Sequence, residues 1–361
     1  MFSLIVFVVI LSALIFIHEL GHFIAARRVG VRVERFSLGF GPRLWGIKRG
    51  DTIYQISAIP LGGYIKMAGD NPDECRGKKY EYLSQPPKNK AQVILAGSAM
   101  NYILGMVCFC PALTLGIPDS SSLVGEVMAG YPAQAAGVRT GDKIVSVDGK
   151  DVKHWVELLQ LIHDKRGQAV DISILRNDQR LNMRLKTKIE KIATPQGERE
   201  ISLIGIKQAQ KRYPAYRAFT QGVGEYIVAT GRYYQVLGMM AVGKVSLRRS
   251  VAGPIGIFYI TSGAASIGLG MLLYVLAMLN LGLSVFNLLP FPVLDGGHFA
   301  LISLEQVRGK RISRRSEVII ERLGIIALIA LSLFVTYNDV INFGIWSKIK
   351  EWFLALVARL R

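Results

Sequence analysis

Residues 1–26, MFSLIVFVVILSALIFIHELGHFIAA, decide the architecture of this chain. The first 17 positions carry no charge, and Phe23-Ile24-Ala25-Ala26 continue the apolar run past His18-Glu19-Leu20-Gly21-His22. A helix of that length crosses the roughly 30 Å hydrocarbon core with some tilt. Ionisable side chains at that depth are expensive, so they mark a function and a partner. His18 and His22 are four apart; on a helix both imidazoles leave one face and can share a metal. Glu19 stands where it can reach a water at that metal as general base. Without a metal, such a His-Glu-His trio in lipid would cost several kcal/mol.

Half of the 361 residues are hydrophobic and the formal charge is +18. That combination excludes an ordinary soluble domain. No nucleic-acid-binding module is visible, so no nucleic-acid partner is expected. The basic residues gather beside apolar segments, which points to a lipid bilayer. Three cysteines, Cys75, Cys108 and Cys110, are too few and too odd for a disulfide framework or a cysteine zinc site. The first apolar run lacks a positive leader and an Ala-x-Ala cleavage site, so a retained membrane helix is expected in place of a cleaved signal peptide.

Four segments have the composition of membrane spans: 2–26, about 93–117, about 267–290 and about 323–341. Arg27, Arg28, Arg32 and Arg35 follow the first, and Arg308, Lys310, Arg311, Arg314 and Arg315 follow the third. Four spans put both basic loops on the cytoplasmic side and both termini outside. Residues 118–205 are polar and rich in turns, with alternating strands at 169–175 and 180–185 joined at Asn177-Asp178. This soluble domain then lies on the extracytoplasmic face. Tyr213–Val245 and Gly344–Arg361 read as amphipathic helices, at the interface or packed on the protein's own helices.

A catalytic zinc takes three protein ligands and leaves one position open. Of the five histidines, His154 and His163 belong to the soluble domain. The third ligand is therefore sought in Asn287-Leu-Leu-Pro290-Phe-Pro292-Val-Leu-Asp295-Gly-Gly-His298, where Pro290 and Pro292 end a helix at membrane depth. Asp295 and His298 are the two candidates. The HExxH lies in the last third of the first span and Asp295 at the far end of the third, which runs the same way, so both arrive near the cytoplasmic side.

HELGH at 18–22, Gly97-x-x-x-Asn101 in the second span and Asn287-x-x-Pro290-x-Pro-x-Leu-Asp295-Gly occur here in order. Together they resemble the site-2 protease family of intramembrane zinc metalloproteases, in its RseP-like bacterial branch. The resemblance covers nearly the whole chain. It implies Zn2+ held by His18, His22 and Asp295, Glu19 as the base, and Asn287 near Pro290 holding the unwound substrate backbone, with Asn101 facing the active site. It also implies an inner-membrane enzyme that cleaves single-span proteins already shortened by another protease, such as anti-sigma factors or remnant signal peptides.

Phe36–Lys66, with its Gly-rich flanks, resembles the family's membrane re-entrant β-hairpin region; a strand edge there could pair with an extended substrate. Tyr131-Pro-Ala-Gln-Ala-Ala-Gly through Asp148-Gly149 resembles a PDZ domain, and there is room for one only. It would bind peptide ends by strand addition or exclude bulky ectodomains. The expected fold is thus a polytopic α-helical membrane protein with four transmembrane helices, a re-entrant β-hairpin region and one extracytoplasmic PDZ domain. Its parts would be 1–117 with the first two spans, 118–206 as the PDZ domain, 207–266 as an amphipathic linker, and 267–361 with the last two spans. The competing reading is a proteolytically silent membrane scaffold presenting the PDZ domain, which should have lost the base or a ligand. A transporter would need polar groups along a whole pathway, whereas here they cluster at one depth.

Overall fold

The computed structural model describes residues 2–194, 197–246, 251–310 and 312–346. The described residues form two compact units, one from 2–112 with 215–338 and one from 113–214 with 339–346.

The first unit opens with α1 (Phe2–Arg28), an unbroken helix carrying the apolar run and the HExxH. Two long strands follow, β1 (Val33–Arg49) and β2 (Thr52–Met67). They fold back on themselves, so that 35–38 is flanked by 53–56 on one side and by 63–66 on the other. This curled sheet lies along α1 and is held by aromatic packing. Phe36 meets Phe23 at 5.2 Å and Phe16 at 5.5 Å between ring centroids, and Tyr54 meets Phe23 at 5.8 Å. Higher up, Ser12 Oγ donates to Pro60 O at 3.1 Å. Helix α2 (Pro87–Leu115) then carries Gly97 and Asn101 and continues through Pro111.

The second unit is a small α/β domain. Its short elements are β3 (Ile117–Pro118), β4 (Val124–Val127), α3 (Pro132–Ala135), β5 (Lys143–Val147), β6 (Lys150–Asp151) and α4 (Trp155–His163). There follow β7 (Ala169–Arg176), β8 (Gln179–Lys186), β9 (Lys188–Thr194), β10 (Gly197–Leu203), β11 (Ile206–Gln208) and β12 (Gln210–Lys211). The main sheet has the order β6-β5-β7-β8. Alternation along β7 buries Val170, Ile172 and Ile174 against Ile144, Val147 and Leu158, and this is the core. Asn177 and Asp178 both have positive φ, 48° and 61°, and make the two-residue turn from β7 to β8. Arg176 clamps the buried Asp142, with Nε to Oδ1 at 2.7 Å and Nη2 to Oδ2 at 2.8 Å. Burial alone would raise the Asp142 carboxyl, but the Arg176 and Arg139 N–H hydrogen bonds outweigh it and hold it below the usual carboxylate range.

The first unit resumes with α5 (Ala215–Ala241), the stretch read as amphipathic. One face packs on the protein's own helices: Tyr226 is fully buried, Tyr102 Oη and Thr230 Oγ1 are 3.1 Å apart, and Tyr233 Oη donates to Met278 O at 3.1 Å. Tyr216 and Phe219 on another face are exposed. A separate apolar helix, α6 (Pro254–Ile267), precedes the third expected span; it stops at Gly268 (φ 138°), and α7 (Leu269–Asn287) starts there. Helices α8 (Asp295–Arg308) and α9 (Arg314–Asn342) complete the unit's run of elements, α9 starting a good two turns earlier than its apolar composition suggested. By length and composition, α1, α2, α7 and α9 are able to cross a membrane. The amphipathic stretch expected at 344–361 lies, from 347 on, outside the described residues.

Candidate metal centre

Helical spacing puts His18 and His22 one turn apart on α1, and the start of α8 brings Asp295 to them from far along the chain. His18 Nε2 lies 3.2 Å from His22 Nε2 and 3.5 Å from Asp295 Oδ2, and His22 Nε2 lies 3.6 Å from Asp295 Oδ1. Among the described residues these three form the one cluster of His, Cys, Asp or Glu donors close enough to hold a metal ion. Ligand bonds of about 2.0–2.1 Å give a tetrahedron edges of about 3.3–3.4 Å. The observed separations are of that length, with the two histidines meeting different oxygens of Asp295. Two imidazoles, one carboxylate and an open fourth corner are the donor set of a catalytic zinc, so the residues fit that ion.

His298, the other candidate ligand, is exposed, and it lines a separate cavity of about 250 Å³ with Tyr82, Lys90 and Ile94. Glu19 follows His18 on α1, and the strand segment at 63 passes beside it: a Cβ on Gly63 would sit 3.4 Å from Glu19 Cγ. Asn101, fully buried on α2, touches His18. Asn287 is the last residue of α7 and Pro290 is exposed in the loop beyond it.

That loop is built to present Asp295. Val293 has φ 78°, a region costly for a β-branched residue. Gly296 and Gly297 open α8, and the loop's carbonyls wrap against them. A Cβ on Gly297 would lie 2.6 Å from Phe291 C, and one on Gly296 would strike the Leu288 and Leu289 oxygens. Only glycine lets the chain fold that tightly onto the helix that starts with Asp295.

The wall behind the three donors is α2, whose contribution sequence reasoning only partly foresaw. Val93 O accepts from His22 Nδ1 at 2.8 Å, leaving the Nε2 lone pair for a metal, and Ser98 Oγ donates to Asp295 Oδ2 at 3.0 Å. Gly97 sits directly under the imidazoles, and Gly21 meets α2 in turn: its Cβ would be 2.8 Å from Met100 Cγ. The Gly97-x-x-x-Asn101 spacing marked this face, and Ser98 stands next to it.

The profile of peptidase family M50 matches residues 6–331. The chain belongs to peptidase family M50. This M50 protein is 30% identical to a protein of Brucella suis over 93% of its own length and 94% of the relative's, and 32% identical to one of Clostridium acetobutylicum over 94% and 98%; both are provisionally named zinc metalloproteases. It is 28% identical to the zinc metalloprotease RasP of Geobacillus kaustophilus over 94% of this chain and 98% of that one. A solved PDZ domain of an SdrC-like protein from Listeria monocytogenes is 26% identical over 26% of this chain and 90% of that one, at a TM-score of 0.21. The M50 chain is an intramembrane zinc metalloprotease.

Proposed function

We propose that this M50 protease hydrolyses peptide bonds in or near transmembrane segments of single-span membrane proteins that another protease has already shortened. The donors are His18, His22 and Asp295, and Glu19 is the base. The carrying observation is the cluster of His18, His22 and Asp295, whose donor atoms approach to 3.2–3.6 Å, with Glu19 following the first on the same helix. Zinc bound there supplies Lewis acidity for the scissile carbonyl and for water. Glu19 takes the proton of the attacking water and returns it to the leaving nitrogen as the C–N bond breaks, leaving a carboxylate on one fragment and an amine on the other.

A helical peptide bond is shielded by its own hydrogen bonds, so the substrate has to unwind. Asn287 and the chain around Pro290 hold the unwound backbone, and the sheet edge at 63–67 beside Glu19 receives it by strand pairing. The sheet itself enters the membrane from the cytoplasmic side. Support comes from the Ser12–Pro60 hydrogen bond, about 9 Å along α1 from His18. It also comes from the exposed apolar side chains Phe40, Leu44, Trp45, Ile47 and Ile56, which water would disfavour and lipid would cover.

In this reading the spans are four and the membrane is the bacterial inner membrane. The active site is near its cytoplasmic side, and the PDZ-like domain at 118–206 lies outside with both termini. That domain screens out bulky ectodomains or takes peptide ends, and 207–266 links it to the catalytic core of 1–117 and 267–361. Anti-sigma factors and remnant signal peptides both meet the size requirement. The test is cleavage of a short transmembrane reporter without an ectodomain by purified protein. Glu19→Gln should lose about 10²–10⁴-fold in rate while keeping its zinc. An unchanged rate in that variant would sink the assignment of the base.

A further inference from the structure

The C-terminal end of α1 meets the turn between β1 and β2 around a cavity of about 350 Å³. Arg27 reaches it from the helix, Arg32 from the link to β1 and Arg49 from the end of β1, with Tyr80 in the lining. These segments are tied together: Arg32 N donates to Tyr80 O at 3.0 Å, and Thr52 Oγ1 donates to Val33 O at 2.7 Å. Asp51 is the one carboxylate in the lining, and Arg32 Nε lies 3.4 Å from its Oδ2. The Arg32 guanidinium also sits over the Tyr80 ring, 4.4 Å from its centroid. Arg27 and Arg49 have no ion-pair partner among the described residues. Three guanidinium groups against one carboxylate leave the cavity with an excess of positive charge.

An apolar strip leads away from it on the same face of the hairpin. The cross-strand pairs Arg49–Thr52, Ile47–Tyr54 and Trp45–Ile56 follow one another there, since residues two apart share a face. Tyr54 turns that face toward α1, where its ring meets Phe23 at 5.8 Å. Beside it Trp45, Ile47 and Ile56 are 60%, 55% and 45% exposed. The strip from Arg49 to Trp45 is about 13 Å long. Arg27 is the first charge beyond the apolar run of α1, which puts the cavity at the depth where hydrocarbon gives way to headgroups.

We propose that Arg27, Arg32 and Arg49 bind the phosphate of an anionic phospholipid, with an acyl chain laid along Ile47, Ile56 and Trp45. Guanidinium forks match phosphate oxygens in pairs. The excess positive charge selects a lipid of net negative charge over a zwitterion, whose ammonium the arginines repel. The apolar strip selects a lipid over free phosphate, which would fill the cavity alone. A headgroup held there joins the end of α1 to the β1–β2 turn, and so ties the sheet to the helix that carries His18 and Glu19. The inference rests on the membrane reading proposed above.

The experiment titrates full-length, zinc-loaded protein in detergent with chain-labelled phosphatidylglycerol, and with phosphatidylcholine of the same chains. Wild type should prefer phosphatidylglycerol by at least about fivefold. Arg27→Gln and Arg49→Gln, both at exposed positions, should each weaken its binding by about fivefold. Lys48→Gln removes the same charge from the opposite face of the strand and should stay close to wild type. A Lys48→Gln loss as large as that of Arg49→Gln overturns the site, because a diffuse surface potential would then be the whole effect. Equal affinity for the two lipids, or unchanged affinity in both arginine variants, overturns it too. Inorganic phosphate that displaces phosphatidylglycerol at equal concentration would make this a free-phosphate site and overturn the lipid assignment. A chain that alkaline carbonate strips from membranes without detergent would refute the membrane reading beneath, and the site with it.

Discussion

Gly97→Ala puts a single methyl group under the metal centre. Its Cβ would lie 2.6 Å from His22 Cε1 and 2.9 Å from His18 Cε1. Carbon atoms rest about 3.5–4.0 Å apart, so each ring has to retreat by about 1 Å. The rings are not free to do so: His22 is tied to Val93 O at 2.8 Å, and both imidazoles lie in a half-buried cluster. Ligand positions tolerate only about 0.2 Å of error in bond length. Helix propensity works the other way, since alanine is favoured over glycine by about 1 kcal/mol in a helix interior. The variant should therefore fold at least as well without metal and yet bind zinc at least about 100-fold more weakly. Zinc content and release to a chelator would be measured in wild type, Gly97→Ala and Gly105→Ala. The last is a matched control, because its Cβ would crowd Tyr226, with Cζ at 3.0 Å, about two turns along α2 from Gly97. It should disturb the docking of α5 and leave zinc in place. Stoichiometric, slowly released zinc in Gly97→Ala would refute the reasoning.

Gly296→Ala should also lower zinc content, because its Cβ meets the Leu288 and Leu289 carbonyls and pushes Asp295 off its mark; a wild-type content would show that the loop can yield. In the second unit, Leu158→Ala removes a fully buried core side chain and should cost about 2–5 kcal/mol, read from amide exchange of β5 and β7 in the intact protein. The Asp142 carboxyl is held below its ordinary value in the fold, so its contribution is complete above the unfolded value of about 3.9 and is lost as pH falls through the lower folded value. Amide protection near Arg176 should therefore drop on acidification below about pH 4, and Asp142→Asn should be weakened already at neutral pH and lose that part of the dependence. Protection that falls equally in wild type and Asp142→Asn would assign the acid sensitivity elsewhere.

Much of this was legible in the residues because the signals are local or sit at fixed spacing. An uncharged run of 17 residues, the four-residue interval between His18 and His22, and the Asn177-Asp178 turn each follow from backbone geometry and the solvent they require. The family resemblance rested on motifs in the same order that the M50 profile spans. Helix ends were less legible. The break at Gly268 and the polar opening turns of α9 depend on what those turns pack against, and composition does not record that.

By itself the sequence pointed to a chain that enters the membrane, to a metal site at His18 and His22, and to Asp295 or His298 as candidates for a third ligand. Tertiary structure decided what spacing could not, since the remaining partners come together across 71 to 277 positions of chain. It brought Asp295 to the histidines and turned His298 into another cavity. It also set Val93 O, Ser98 and Asn101 behind the donors, because Gly21 and Gly97 let α1 and α2 approach more closely than any side chain would allow. A helix fixes which residues share a face; only packing fixes which faces meet.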